Sequence, residues 1–217
     1  DLLQKEMVVR ERLETEVQLA RQIQQTFLPD ALPQVDGWDF SARWKTARQV
    51  GGDFYDVFDL PNGRIGLFIA DVADKGVPAA LFMAMTKIMV KTRAASDPSP
   101  ASIVTHVNDA LSADNDSCMF VTLYLGILNL RNGSLVTTNA GHNPPLLKRQ
   151  DGQFEWLTGI NGPMVGPMAG IAFKETTIQL GLGDELFLYT DGVTEADNRR
   201  RELFGNNKLK TVLAKSH

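Results

Sequence analysis

Ile69-Ala70-Asp71-Val72-Ala73-Asp74-Lys75-Gly76 is the stretch from which the rest of the chain can be read. An apolar run, Ile65 to Ala70, drives straight into a carboxylate at Asp71. A small, loose turn follows, and Pro78 opens an apolar, helix-like segment. A strand that ends on an Asp at a turn places a charge at the edge of a core. An unpaired carboxylate there is costly and calls for a cation or a set of donors. Two other places repeat the device. Asp53 lies in Gly51-Gly52-Asp53-Phe54-Tyr55-Asp56, and Asp191 ends the run Leu186-Phe187-Leu188-Tyr189-Thr190 and precedes Gly192. Three strand-edge aspartates beside glycines, distant in sequence, predict one oxygen-lined metal site. The bland alternative is that each Asp caps its own turn, the commonest use of Asp next to Gly.

The bulk properties narrow the class. A chain of 217 residues with 43% hydrophobic content is long enough to bury a sizeable core, and one globular domain plus an appendage is expected. The net charge of −4, with both signs interspersed, shows no basic stripe and argues against a nucleic-acid partner. Cys118 is the single cysteine, so no internal disulfide forms, which fits a reducing, cytoplasmic setting. No apolar run approaches the ~20 residues of a membrane helix. The chain begins Asp1-Leu2-Leu3-Gln4, without initiator Met or signal-peptide layout, and is expected to be a piece of something longer, cut at the N-terminus and also at the C-terminus.

Hydrophobic periodicity predicts the elements. Residues 1 to 28 hold neither Gly nor Pro and read as one helix. Leu2, Val9, Leu13, Ala20 and Phe27 fall on one line at 100° per residue, flanked by Val17 and Ile23. That stripe is expected to pair with its twin in a homodimer over the first half and to dock on the domain over the second. Trp38, Phe40, Ala42 and Trp44 alternate with polar residues and predict a half-buried strand. A hairpin follows over Phe54–Leu60 and Arg64–Ala70 around Pro61-Asn62-Gly63. Pro78 to Ala95 reads as a helix apolar around most of its circumference, hence deeply buried. A second helix carries Ile103, Val104, Val107, Ala110 and Leu111 on one face. Further hairpins are expected over Met119–Ala140 and Leu146–Leu157, and strands over Phe173–Leu180 and Glu185–Thr190. Many strands on short turns, with two helices inserted together, argue an α+β fold with antiparallel sheets.

Carboxylates are the chemistry on offer. His106, His142 and His217 form no zinc spacing, and no Gly-x-Ser-x-Gly nucleophile elbow is present. Clustered Asp with carbonyls and waters suits the hard ions Mg2+ or Mn2+. Two such ions can activate a water and orient a phosphoryl group, whose hydrolysis needs positioning and charge neutralisation more than a protein nucleophile.

Five phrases carry a family resemblance: Val50-Gly51-Gly52-Asp53-Phe54-Tyr55-Asp56, Ala70-Asp71 through Leu81, Met119-Phe120-Val121-Thr122, Ala140-Gly141-His142-Asn143-Pro144-Pro145, and Tyr189-Thr190-Asp191-Gly192-Val193-Thr194-Glu195-Ala196. In order and spacing they resemble the bacterial branch of the metal-dependent type 2C (PPM-type) serine/threonine phosphatases, the branch of the sporulation stage II E phosphatase and of the sigma-factor regulators. The segment Glu16 to Pro29 resembles the linker helix preceding that domain. The likeness covers roughly residues 16 to 210 and implies an α-β-β-α sandwich of two antiparallel sheets. It divides the chain into a linker helix over 1–29, for signalling and dimerisation, and a phosphatase domain over 30–217. It implies Asp53, Asp71 and Asp191 as metal ligands, with Asp71 bridging two ions (Mn2+ or Mg2+) and the Val72 carbonyl contributing. It implies hydrolysis of phosphoserine or phosphothreonine by metal-activated water. The substrate would be a phosphorylated anti-sigma-factor-antagonist-like protein, and a sensor domain would lie upstream on the same chain.

Other positions stay open between two readings. Arg48 and Lys75 are substrate-binding candidates or plain solvated cations. His142 is a substrate-binding candidate or a hydrogen-bonded structural histidine. Asp56 either supports the metal ligands or caps its turn. Ala73 stands where better-known relatives carry a His, which leaves a protein general acid without a candidate. The family pattern closes on an Asp-Asp pair that does not occur before His217, and Asp197 lies too close to Asp191 to replace it. That gap motivates the alternative of a pseudophosphatase, a phosphoprotein-binding signalling module without a complete metal site. A diguanylate cyclase is disfavoured, because Phe54 stands where its Gly-Gly-Asp/Glu-Glu-Phe signature needs an acid.

Overall fold

The computed structural model describes residues 24–45, 51–74 and 76–215, together with positions 4, 7, 10, 11, 15, 18, 19, 21 and 22. Period-two alternation organises the fold around a first hairpin of β1 (Asp53–Leu60) and β2 (Arg64–Val72). Its turn uses Asn62 and Gly63, both at φ 66°, a left-handed conformation that these residue types tolerate. β3 (Val121–Asn129), β4 (Ser134–Ala140) and β7 (Thr176–Gln179) extend the sheet in the order β1-β2-β3-β4-β7, antiparallel throughout. A second antiparallel sheet, β6-β5-β8, is built from β5 (Leu146–Lys148), β6 (Phe154–Trp156) and β8 (Glu185–Phe187).

The two faces of the large sheet bury different layers. Phe54, Phe58, Phe68, Ala70, Leu123 and Leu125 join the main core with Met83, Val90, Ile103 and Val107 of α1 (Val77–Ala94) and α2 (Pro100–Ser112). Ile65, Leu67, Leu128 and Leu135 form a second core, against which the partly buried Leu186 of β8 and Leu188 just after it pack. Each fully buried Leu, Ile, Val, Phe or Met among them contributes about 1.5–3 kcal/mol. α3 (Asp191–Thr194) and α4 (Gly205–Leu213) follow β8. α4 buries Leu209 and sets Lys210 Nζ over the Phe154 ring at 5.7 Å, which completes the helix–sheet–sheet–helix layering of an α+β fold.

Several local expectations change. Val35 and Trp38 form an isolated bridge and residues 39–45 pair with no strand, so Trp38, Phe40, Ala42 and Trp44 do not make one. The alternation has another cause. Trp38 Nε1 donates to the Leu130 carbonyl (3.2 Å) and Trp44 Nε1 to the Asp53 carbonyl (3.0 Å), with exposed positions between them. The helix α1 is not buried all round, since Val77, Leu81, Met85 and Ile88 are 47–61% exposed. On α2, Ala110 is exposed and Asn108 is buried in the core-facing row instead; it accepts from Gly166 N and donates to the Met168 carbonyl. α4 falls where periodicity raised no expectation.

At the N-terminus the described positions from Gln4 to Thr26 are helical. Leu2, Val9, Leu13, Val17, Ala20 and Ile23 of the expected stripe lie outside the described residues. Phe27 and Leu28 pack against the main core. Among the described residues, no helix is long and apolar enough to cross a membrane.

Candidate metal centre

Strand parity carries two of the three aspartates to one place. Asp53 and Asp71 are directly paired across β1 and β2. Asp71 shares its face with Ile65 and Leu67, the side that meets the second sheet, while Phe68 and Ala70 turn to the helices. The approach is close. A Cβ on Gly52 would stand 2.4 Å from the Val72 carbonyl oxygen and 2.7 Å from Asp71 Oδ1, so only glycine fits. The Gly52 carbonyl accepts from Val72 N at 3.2 Å, holding the two strand ends together.

Asp191 arrives from the other sheet. Tyr189, buried to 3% exposure, stacks on Phe187 and meets Trp156 edge-on, which fixes the chain just before the site. The chain then turns into α3, with Thr190 at the cap and Asp191 at the first helical position. One carboxylate oxygen of each of Asp53, Asp71 and Asp191 lies within 4.8 Å of the others. Asp53 and Asp71 are half-buried and Asp191 is exposed, so the cluster opens on the Asp191 side. Burial pushes the Asp53 carboxyl above its ordinary range; a hydrogen bond from Thr190 opposes this, and the nearby Asp191 charge reinforces it.

The remaining expected residues divide. The Val72 side chain is buried, with its carbonyl against Gly52, beside Asp71. Arg48 and Lys75 lie outside the described residues. His142 is 4% exposed and hydrogen-bonded through Nδ1 to Thr122 Oγ1 (2.9 Å). Asp56 neither adjoins the cluster nor caps a turn. It is buried on the helix side, bound to Lys87 Nζ (2.8 Å) and Lys91 Nζ (2.9 Å) of α1. Three further residues escaped the sequence reading. Thr190 bonds Asp53, and its signal was its place directly before Asp191. Thr122 is the register partner of Asp71. Gln24 is 1% exposed; its amide nitrogen donates to the Gly51 carbonyl and its oxygen accepts from Gly51 N, clamping the approach to Asp53.

The donor set fits a divalent cation. Every ligand atom offered is a hard oxygen, as Mg2+ and Mn2+ prefer. Among the described residues no lysine or arginine forms an ion pair with Asp53 or Asp191. The like charges crowd one another, the repulsion that a cation relieves.

Comparison with known proteins gives a family. Residues 61–217 match the family model described as stage II sporulation protein E (SpoIIE). The chain is 33% identical over 225 residues to protein IcfG of Synechocystis sp., covering 91% of this chain and 35% of that protein. It is 29% identical to the phosphoserine phosphatase RsbU of Bacillus subtilis, covering 86% of this chain and 56% of that protein. The chain thus spans about a third to just over half of these curated relatives. Among solved structures, the SiaA PP2C domain of Pseudomonas aeruginosa superposes with a TM-score of 0.77 at 19% identity, covering 95% of this chain and 83% of that one. The RsbU and RsbW domains of a Mycobacterium tuberculosis protein give 0.66 at 26% identity, covering 80% and 47%.

Proposed function

The chain belongs to the stage II sporulation protein E family, and from that membership we propose that it is a metal-dependent protein serine/threonine phosphatase whose two divalent cations, Mn2+ or Mg2+, are held by Asp53, Asp71, Asp191 and the Val72 carbonyl. The observation that carries this reading is the convergence of three carboxylates from three distant segments within 4.8 Å. Bound there, the cations supply the positive charge and Lewis acidity that phosphoryl hydrolysis requires at neutral pH. The chain supplies the rest. Thr190 orients the Asp53 carboxylate, and Gly52 lets the Asp53 and Asp71 strand ends close up. The exposed side of the cluster, at Asp191, admits the phosphoester.

The substrate proposed is a phosphorylated anti-sigma-factor-antagonist-like protein in the cytoplasm. The name of the RsbU relative, phosphoserine phosphatase, supports phosphoserine as the target. A sensor domain upstream on the same chain, which rests on the family resemblance, and a homodimer through the N-terminal helix, which rests on its apolar stripe, complete the proposal. The division into a linker helix over 1–29 and a phosphatase domain over 30–217 is part of the same reading.

The test is phosphate release from p-nitrophenyl phosphate and from a phosphoserine peptide, titrated with Mn2+ and with Mg2+, alongside Asp71→Asn. Release that requires metal and disappears in the variant is the expected result. Peptide binding without release would convert the reading to a pseudophosphatase.

A further inference from the structure

The large and small sheets share no hydrogen-bonded ladder, yet the aspartate cluster is drawn from both. Backbone pairing fixes Asp53 against Asp71 but says nothing about how far Asp191 stands from them. That distance is left to side chains between the sheets: Thr190 bonds Asp53 at the cluster itself, and His142 lies behind it. His142 follows β4 through Gly141, which takes φ 71°. Its backbone is pinned on both sides by Asn139, whose Oδ1 accepts from His142 N (2.8 Å) and whose Nδ2 donates to the His142 carbonyl (3.1 Å). Asn139 is in turn tied through its backbone to Asn161, whose Oδ1 accepts from Asn139 N and whose own N–H donates to the Asn139 carbonyl. The imidazole is therefore aimed by the fold rather than free to turn.

Its ring is bonded to the large sheet and lies beside the chain that leads to Asp191. Nδ1 lies 2.9 Å from Thr122 Oγ1, and Thr122 is the register partner of Asp71, with its hydroxyl 3.5 Å from the Asp71 carbonyl. The ring also lies by the backbone of Tyr189, two residues before Asp191, and its Nε2 is buried without a hydrogen-bond partner among the described residues. The Thr122 hydroxyl, which donates toward the Asp71 carbonyl, thus ties the ring to the strand end that carries Asp71.

We propose that His142 is a positioning residue of the metal centre, bridging the Thr122–Asp71 end of the large sheet to the Tyr189–Asp191 end of the small one and thereby setting the spacing of those carboxylates. The inference rests on the metal-centre reading above. Groups that orient ligands from behind them typically change metal affinity 10–100-fold when removed, whereas a histidine that only fills space changes stability alone.

Thr122→Val removes the hydroxyl at nearly constant shape, and Thr122→Ser restores it. His142→Phe keeps ring bulk without either nitrogen. Mn2+ alone is the probe, titrated into the full chain by calorimetry and by electron paramagnetic resonance, with urea unfolding on the same samples. The expected result is a dissociation constant raised about tenfold or more in Thr122→Val and in His142→Phe, with Thr122→Ser close to wild type. Equal Mn2+ affinity across folded variants, with only stability altered, would overturn the proposal. If His142→Phe fails to fold, the Thr122 Val/Ser pair decides alone. Wild type and Asp71→Asn serve as controls. Mn2+ binding abolished in Asp71→Asn but untouched in the Thr122 variants sinks this inference and spares the metal centre. No Mn2+ binding by wild type sinks both.

Discussion

Asp53 and Asp71 face each other directly in the register of the first hairpin, so their carboxylates leave the same face of the large sheet side by side. The half-buried Asp53 carboxyl is pushed upward by desolvation and by the Asp191 charge, against hydrogen bonds with Thr190 and Asp71. Asp71→Asn removes the carboxylate beside both Val72 and Asp53. Its effect on Mn2+ affinity should exceed the ~10–100-fold typical of groups one layer further out. Calorimetric titration of Mn2+ checks this. Retention of wild-type affinity would mean that the cluster is not a cation site.

Gly52 allows that geometry. A Cβ at this position would meet backbone, the Val72 carbonyl oxygen at 2.4 Å, rather than the end of a pliable side chain. Gly52→Ala is therefore expected to cost about 1–3 kcal/mol, the range for forced overpacking, and to weaken Mn2+ binding together with stability. Urea unfolding in EDTA isolates the first effect. A variant as stable as wild type would show that the β1 and β2 ends part easily.

Much of this was legible in the chain because it follows from local rules. Alternation and turn residues placed β1 to β4, and the ends of apolar runs marked Asp71 and Asp191, as the Gly51-Gly52 pair marked Asp53. What sequence could not supply were partners chosen by tertiary packing. Trp38 and Trp44 alternate like a strand because their indoles reach carbonyls of other segments. Leu81, Met85 and Ile88 read as core, yet only one side of α1 meets the sheet. Asn108 looks like a polar break in the apolar face of α2, but it satisfies the backbone of the loop at Gly166 and Met168. Thr122 and Thr190 stand inside the family phrases, but their roles come from what lies opposite or beside them.

Asp56 illustrates a charge kept away from the site. It is bound on the helix face by Lys87, 11% exposed, and Lys91, 41% exposed. Lys87 also donates to the Phe27 carbonyl, and Lys91 lies over the Phe58 ring at 4.9 Å. Asp56→Ala leaves Lys87 buried without its anion and is expected to cost about 3–5 kcal/mol. Lys91→Ala removes a partly solvated partner and should cost no more than about 1 kcal/mol. Urea unfolding of the two variants tests the asymmetry. Equal losses would mean that burial of Lys87 does not govern the network.

The last prediction concerns acid. Burial lowers the His142 pKa from 6.5 to about 4 in the folded chain. Between these values the unfolded chain binds a proton that the folded chain refuses, so stability is complete above pH 6.5 and is lost as pH falls toward 4. Refusing that proton costs the folded chain ~1.4 kcal/mol for every tenfold change in proton affinity, which puts the full loss on the order of 3 kcal/mol. Asp53 works in the opposite sense. Its raised pKa means that the folded chain takes up a proton first, which returns stability as pH falls. Asp97 and Asp184, both lowered from 3.8, add losses only at the acid edge of the window. These carboxylates remain in His142→Phe, so the difference between the two proteins isolates the histidine. Urea unfolding in EDTA at pH 4, 5, 6 and 7 should show wild type losing stability faster than the variant on acidification. Parallel profiles would mean that His142 takes up its proton in the folded chain as readily as in the unfolded one.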